Sequence, residues 1–273
     1  MDANLRQRII SGLIMAGLVV SLLLYNAASA QVLFIIIMLA MLYEFSAISL
    51  AGVSGAFSYV FWSIFGSLAM VLLLVYKYPD QQYMDIIIYL SVSYIVINIL
   101  MLLTQKRTLL PIVPLIQSYL YITIPCVILL FWIRSHDSYG LTLLGVFIMI
   151  WGSDVFAYFA GRKFGKRKLF AAISPKKTWA GFIGAGIGTI VLALLCSYLL
   201  AHLPISRWLI IGLLIWLFGS LGDLVESSFK RHFRIKDSGT ILSGHGGFLD
   251  RLDSFIFAIP VVILYLNYAS HAS

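Results

Sequence analysis

The chain has 273 residues, 61% of them apolar and 11% charged, with a mean hydropathy of +0.98; soluble domains carry about half apolar and a quarter charged residues, so that class is excluded. Long apolar runs also exclude a transmembrane β-barrel, whose strands alternate in character over about ten residues. The net charge of +8 points, in such a chain, to basic loops facing an anionic leaflet and to anionic substrates, not to nucleic acid.

An all-α polytopic membrane bundle follows. Apolar stretches of about twenty residues count as spans, which gives nine, near 9–25, 31–50, 57–76, 84–103, 109–133, 140–160, 180–201, 207–228 and 249–268. The first resembles a signal peptide, because Arg6 and Arg8 precede it and Ala28-Ser29-Ala30 follows it. Its apolar run is longer than an ordinary signal core and suffices to span, so it is read as a retained helix. An odd count puts the termini on opposite sides. With that alternation sixteen Lys and Arg fall on the N-terminal side and three, Lys77, Arg134 and Arg207, on the other. The N terminus and every candidate site loop are therefore expected in the cytoplasm, with the chain multi-pass in the plasma (inner) membrane of a bacterium.

Residues 1–139 are poor in motifs. Glu44, inside the second span, reads as an interhelical hydrogen-bonding partner or a residue at the cytoplasmic helix end, with a functional acid as the alternative. Pro111, Pro114 and Pro125 kink the fifth span, which membrane helices tolerate where neighbours satisfy the freed carbonyls. Cys126 and Cys196 sit in apolar runs without metal or disulfide spacing and read as packing residues. No linker or repeat divides the chain, so 1–273 is one membrane-embedded domain, with the chemistry in 140–273.

That second part opens on Asp154, an acid deep in the sixth span that should face the bundle interior or a polar cavity, either as a functional group or as the partner of a nearby Arg. Gly181, Gly184, Gly186 and Gly188 in the seventh span allow close packing against the site helices. The densest stretch is 222–253, which holds five of the eleven acidic residues: Asp223, Glu226, Asp237, Asp250 and Asp253. Asp223 and Glu226 are i,i+3, as are Asp250 and Asp253, so each pair projects from one helix face with Cβ atoms about 5–6 Å apart. Two such faces suit a hard cation such as Mg²⁺, which takes protein carboxylates, water and substrate phosphates. Asp223 and Asp250 are the first choices as ligands, with Glu226 and Asp253 next. Gly244, Gly246 and Gly247 permit a tight turn, and free amides at the start of the following helix would favour an anion. A solvated basic loop with helix-capping acids is the alternative. Together these features describe metal-assisted phosphoryl or nucleotidyl transfer, without choosing the nucleotide or the acceptor.

Ser227-x-x-Lys230-Arg231, Lys236-Asp237-x-Gly239 and Gly244-His245-Gly246-Gly247-x-x-Asp250-Arg251-x-Asp253 resemble the signature of the CDP-diacylglycerol synthases, the phosphatidate cytidylyltransferases. Ser174-Pro175-Lys176-Lys177-Thr178 resembles a second block of that family, offering hydroxyl and ammonium donors to phosphate just before a helix starting at Trp179. The resemblance implies that CTP and phosphatidic acid give CDP-diacylglycerol and pyrophosphate at a bilayer, with Mg²⁺, optionally a second cation, and optionally a homodimer. The catalytic residues it implies are Asp223, Asp250, Asp253, Lys230, Arg231 and His245, the histidine as a phosphate donor or turn residue and not a base. Substrate binding is expected from Ser174, Lys176, Lys177, Thr178, Ser227, Lys236, Gly246, Gly247 and Arg251. Two rivals stay open: a CTP-dependent polyprenol or lipid-alcohol kinase, whose hydroxyl acceptor favours a dedicated base, and an ion-coupled transporter, whose site should lie near the midplane on broken helices.

Overall fold

Backbone in a hydrocarbon phase must satisfy its own hydrogen bonds, which favours helices. The computed structural model, which describes residues 3–50, 56–104, 113–239 and 246–271, is accordingly a helical bundle. Its helices are α1 (Ala3–Tyr25), α2 (Ala27–Ser49), α3 (Ala56–Val71), α4 (Gln81–Leu103), α5 (Pro114–Ser118), α6 (Ile124–Ser135), α7 (Tyr139–Phe164), α8 (Trp179–Leu200), α9 (Ile205–Leu214), α10 (Ser220–His232) and α11 (Leu249–His271). Three π-helical turns lengthen them: Leu72–Lys77 continues α3, Tyr119–Thr123 joins α5 to α6, and Ile215–Gly219 joins α9 to α10. Over the described residues each expected span falls on helix. Among the described residues eight segments are long and apolar enough to cross a membrane, while α1 contributes the shorter apolar stretch Ala16–Tyr25. Pro111 lies outside the described residues, and the fifth span starts at Pro114.

One element departs from the all-helical expectation. Ser174–Thr178, read from sequence as a loop, is a strand (β2) paired antiparallel with β1 (Lys168–Phe170), Lys168 opposite Thr178 and Phe170 opposite Ser174. The connection between two antiparallel helices thereby satisfies its own backbone groups. The hairpin hands over directly to α8, where Thr178 is the N-cap and its hydroxyl accepts from Gly181 N at 3.1 Å. Such a cap is worth about 1 kcal/mol.

The glycines of α8 pack it against α7, as their spacing suggests. A Cβ at Gly181 would come 3.0 Å from the Ala157 carbonyl oxygen, and one at Gly184 would meet Ala160. Small residues let the two backbones approach, the main source of helix association where lipid is as apolar as leucine. At the centre of the bundle lies α11, almost fully buried from Phe255 to Ile263. Phe255 stacks on Phe34 at 5.7 Å and on Phe147 at 4.9 Å, joining α2, α11 and α7. Nearer the charged end of the bundle Phe45 of α2 stacks on Phe229 of α10 at 4.8 Å. These contacts fix the axial positions of α2, α10 and α11, the helices that carry the acids.

Candidate active site

A helix that ends at the bundle edge must turn its chain back without wasting polar groups, and α10 does so through a left-handed residue, Arg234 (φ 57°). Ile235 N donates to Lys230 O at 3.0 Å and Arg234 N to Arg231 O at 3.1 Å, the paired bonds of a Schellman C-cap. Arg231 adds a tie by donating from its guanidinium to Ile235 O at 2.8 Å and to Ile173 O of the β hairpin connection at 3.4 Å. It thus serves the turn's backbone. The returning chain brings Ser238 beside the first turn of α11.

Three carboxylates meet between α10 and α11. Asp223, Glu226 and Asp253 each present an oxygen, all within 4.8 Å of one another, with Glu226 and Asp253 buried and Asp223 half-buried. Asp223 accepts from the Ser227 hydroxyl at 3.2 Å and pairs with Lys177 of β2. Lys230 Nζ sits 2.5 Å from Glu226 Oε2 and 2.6 Å from Asp250 Oδ1. Only the bond to Asp250 has hydrogen-bond geometry; both oxygens of Glu226 are shut off from solvent and accept no directed hydrogen bond. Two lysines therefore make ion pairs with three of these four carboxylates. An acid excess in a low-dielectric setting, with buried oxygens lacking donors, is the donor set a hard divalent cation fits.

Asp250 does not join the three. Its Oδ1 accepts from Lys230, and its Oδ2 accepts from Ser238 N at 2.8 Å and Gly247 N at 2.9 Å. Asp250, which spacing groups with Asp253, is thus engaged by Lys230 and by two loop amides. One expectation is corrected at the same place. The amides at the start of α11 are not free for an anion, because Phe248 N donates to Glu44 Oε1 at 3.0 Å and Leu249 N to Glu44 Oε2 at 2.9 Å. Gly246, at φ 82°, holds the left-handed turn expected of it. Gly247 has no room for a side chain, since a Cβ would run into Ser238 Oγ and the Glu44 carboxylate.

Beside the acids a cavity of about 430 Å³ opens between α7, α8, the β hairpin and the ends of α10 and α11. Asp223 belongs to both, lining the cavity together with Lys176, Lys177 and Thr178. Arg162, Lys168 and Asp154 complete its charged wall. Of the sequence-derived set, then, Asp223, Lys176, Lys177 and Thr178 line the cavity, and Glu226, Asp253 and Ser227 stand at its acid edge. Ser174 is half-buried in β2; Lys236 and Arg251 are exposed. His245 lies outside the described residues. The sequence leaves the roles of Glu44 and Asp154 undecided; Glu44 binds the backbone at the start of α11, and Asp154 belongs to the polar lining of the cavity.

Comparison with known proteins bears on what this site handles. Residues 6–269 match the cytidylyltransferase family. A phosphatidate cytidylyltransferase of Bacillus subtilis is 50% identical over 137 residues, 49% of this chain and 51% of that protein. Those of Staphylococcus saprophyticus and Staphylococcus aureus (strain COL) are 48% and 47% identical over 126 residues, in each case 45% of this chain and 48% of the relative. The chain thus spans about half the length of the curated relatives it matches.

Proposed function

Since the chain belongs to the cytidylyltransferase family, we propose that it transfers the cytidylyl group of CTP to phosphatidic acid, giving CDP-diacylglycerol and pyrophosphate. The observation that carries this reading is the double membership of Asp223, which stands in a lysine-lined cavity and in a cluster of three carboxylates. A phosphatidate oxygen would form a bond to the α-phosphorus of CTP as the bond to the pyrophosphate oxygen breaks. The acceptor phosphate, with a second pKa of about 6, is already ionised at neutral pH and needs no general base. Repulsion between two polyanions is the barrier that remains, and Lys176, Lys177, Lys168 and Arg162 would lower it by neutralising phosphate oxygens. Asp223, Glu226 and Asp253 would hold Mg²⁺, which when bound offsets charge developing on the phosphates. Lys230 sits between Glu226 and Asp250 and would offset their charge beside the cluster. Acyl chains would lie along the outward faces of α7 and α8, where Phe159, Ile183 and Ile187 are exposed.

The charge asymmetry of sixteen against three supports a cytoplasmic site and a cytoplasmic N terminus in a bacterial plasma membrane. The test is to incubate purified full-length protein with phosphatidic acid and CTP labelled on either the α- or the γ-phosphorus. Label from the α-position should appear in a CDP-lipid, with pyrophosphate released. Transfer of the γ-label to a lipid would overturn the proposal in favour of a kinase, and no transfer to any lipid would overturn both.

A further inference from the structure

Glu44 lies in α2, in the motif-poor part of the chain, yet its carboxylate is buried against the site loop and is 2% exposed. Its oxygens accept from Phe248 N and Leu249 N, and the Ser238 hydroxyl donates to Oε2 at 3.3 Å. Gly239 and Gly247 both abut it: a Cβ at Gly239 would stand 2.7 Å from Oε1, and one at Gly247 would clash with Oε2. Residues 238–239 and 247–249 thus close around this carboxylate. From there the bonds run on. Ser238 N donates to Asp250 Oδ2 while Asp250 N donates to Ser238 Oγ at 3.3 Å, and Asp250 holds Lys230, which faces Glu226 of the acid cluster.

We infer that Glu44 is a positioning residue for the site, a buried carboxylate that caps α11 and sets, through Ser238 and Asp250, where Lys230 meets the acids. The adjacent residue explains why the clamp is rigid. Phe45 stacks on Phe229, so α2 grips α10 with one side chain and α11 with the next, and relative displacement of the two acid-bearing helices would break one contact or the other. A neutral hydrogen-bonding partner would serve packing equally well. A carboxylate presents only acceptors to the three converging donors, and charge-assisted bonds of this kind are about twice as strong as neutral ones.

The inference rests on cytidylyl transfer only in the kinetic half of its test. Glu44→Gln keeps the shape but turns an NH₂ group toward one of the amides. In the full-length protein in detergent, amide hydrogen exchange over residues 246–250 should quicken about tenfold or more, with α7 and α8 unchanged, since one cap bond is lost and one donor is opposed. In the CTP assay kcat should fall by about tenfold or more while KM for CTP stays within about threefold, because the lysines of the cavity are untouched. Ser238→Ala, which cuts the same relay without removing a buried charge, should reproduce the kcat effect in weaker form and guards against a variant that does not fold. Unchanged exchange in Glu44→Gln would overturn the inference, and so would quickened exchange with wild-type kcat. If the wild-type protein makes no CDP-lipid, the proposed function fails while the exchange measurement still decides whether Glu44 orders the loop.

Discussion

Residues 1–139 and 140–271 are built from the same apolar helices but treat buried polarity differently. In the first part neutral groups pair with one another: Ser63 with Ser118, Ser67 with Thr123, Tyr94 with Gln117 and Tyr76 with Gln31. In the second part the interior holds ionisable side chains, with Asp223, Glu226 and Asp253 gathered in one cluster and Lys230 bridging Glu226 to Asp250. Neutral pairs each satisfy both partners and leave nothing over, so they stitch helices together. An excess of like charge is expensive to keep in a low-dielectric interior and finds a use only when something else arrives. Glu44 is the exception that joins the parts, an ion from the neutral region spent entirely on backbone donors of the charged one.

The largest effect should come from Asp223→Asn, which removes charge from the point shared by cavity and cluster. Turnover should drop roughly 10²–10³-fold, the range for losing one preorganised electrostatic group. Melting without divalent cation should hardly move, because the pair lost with Lys177 is partly exposed and such pairs contribute about 0–1 kcal/mol. Asp250→Asn should behave in the opposite sense for stability. It leaves Lys230 facing a carboxamide and weakens the bonds from Ser238 N and Gly247 N, costing about 1.5–3 kcal/mol, seen as a lower melting temperature beside a smaller loss of turnover. Equal melting of the two variants would erase the distinction between a cluster acid and a loop-holding acid.

A weaker effect should follow at the cavity wall. Lys177→Ala should raise KM for CTP about tenfold, the equivalent of one charge-assisted bond to phosphate, with kcat less affected. Steady-state kinetics at saturating Mg²⁺ would check it, and an unchanged KM would leave the basic strand a purely topological feature.

How much of this was legible beforehand follows from range. The i,i+3 spacing of Asp223 and Glu226 is local, and the structure indeed puts both in the cluster. For Asp250 and Asp253 spacing gave the helix but not the partition between cluster and loop, because the competing amides come from Ser238 and Gly247, whose approach depends on the turn after α10. For Glu44 the sequence leaves an interhelical partner, a helix-end residue and a functional acid all open, since its acceptor role depends on amides 204 and 205 positions away. No periodicity within α2 marks that face. The β hairpin escaped because strands of three and five residues carrying Ser, Pro and Lys show no alternation. The bundle itself was plain from hydropathy, as backbone energetics in lipid leave few alternatives.

The smallest effect tests the neutral side of the comparison. Ser67 Oγ donates to Ser63 O and lies 2.6 Å from Thr123 Oγ1, linking α3 to the π turn ahead of α6. Replacing it by Ala removes one member of a neutral pair and leaves Thr123 with the Ser118 carbonyl oxygen at 3.5 Å as a fallback acceptor. Interhelical bonds of this type average about 0.6 kcal/mol in membrane proteins, because the separated helices also find partners. Ser67→Ala should therefore lower the melting temperature slightly and leave turnover at wild-type level, unlike Glu44→Gln, which changes one equally buried side chain in the same part of the chain. A turnover loss in Ser67→Ala as large as that in Glu44→Gln would mean that any perturbation of residues 1–139 reaches the acids, and that Glu44 acts by general packing and not through the bonds it makes to Ser238, Phe248 and Leu249.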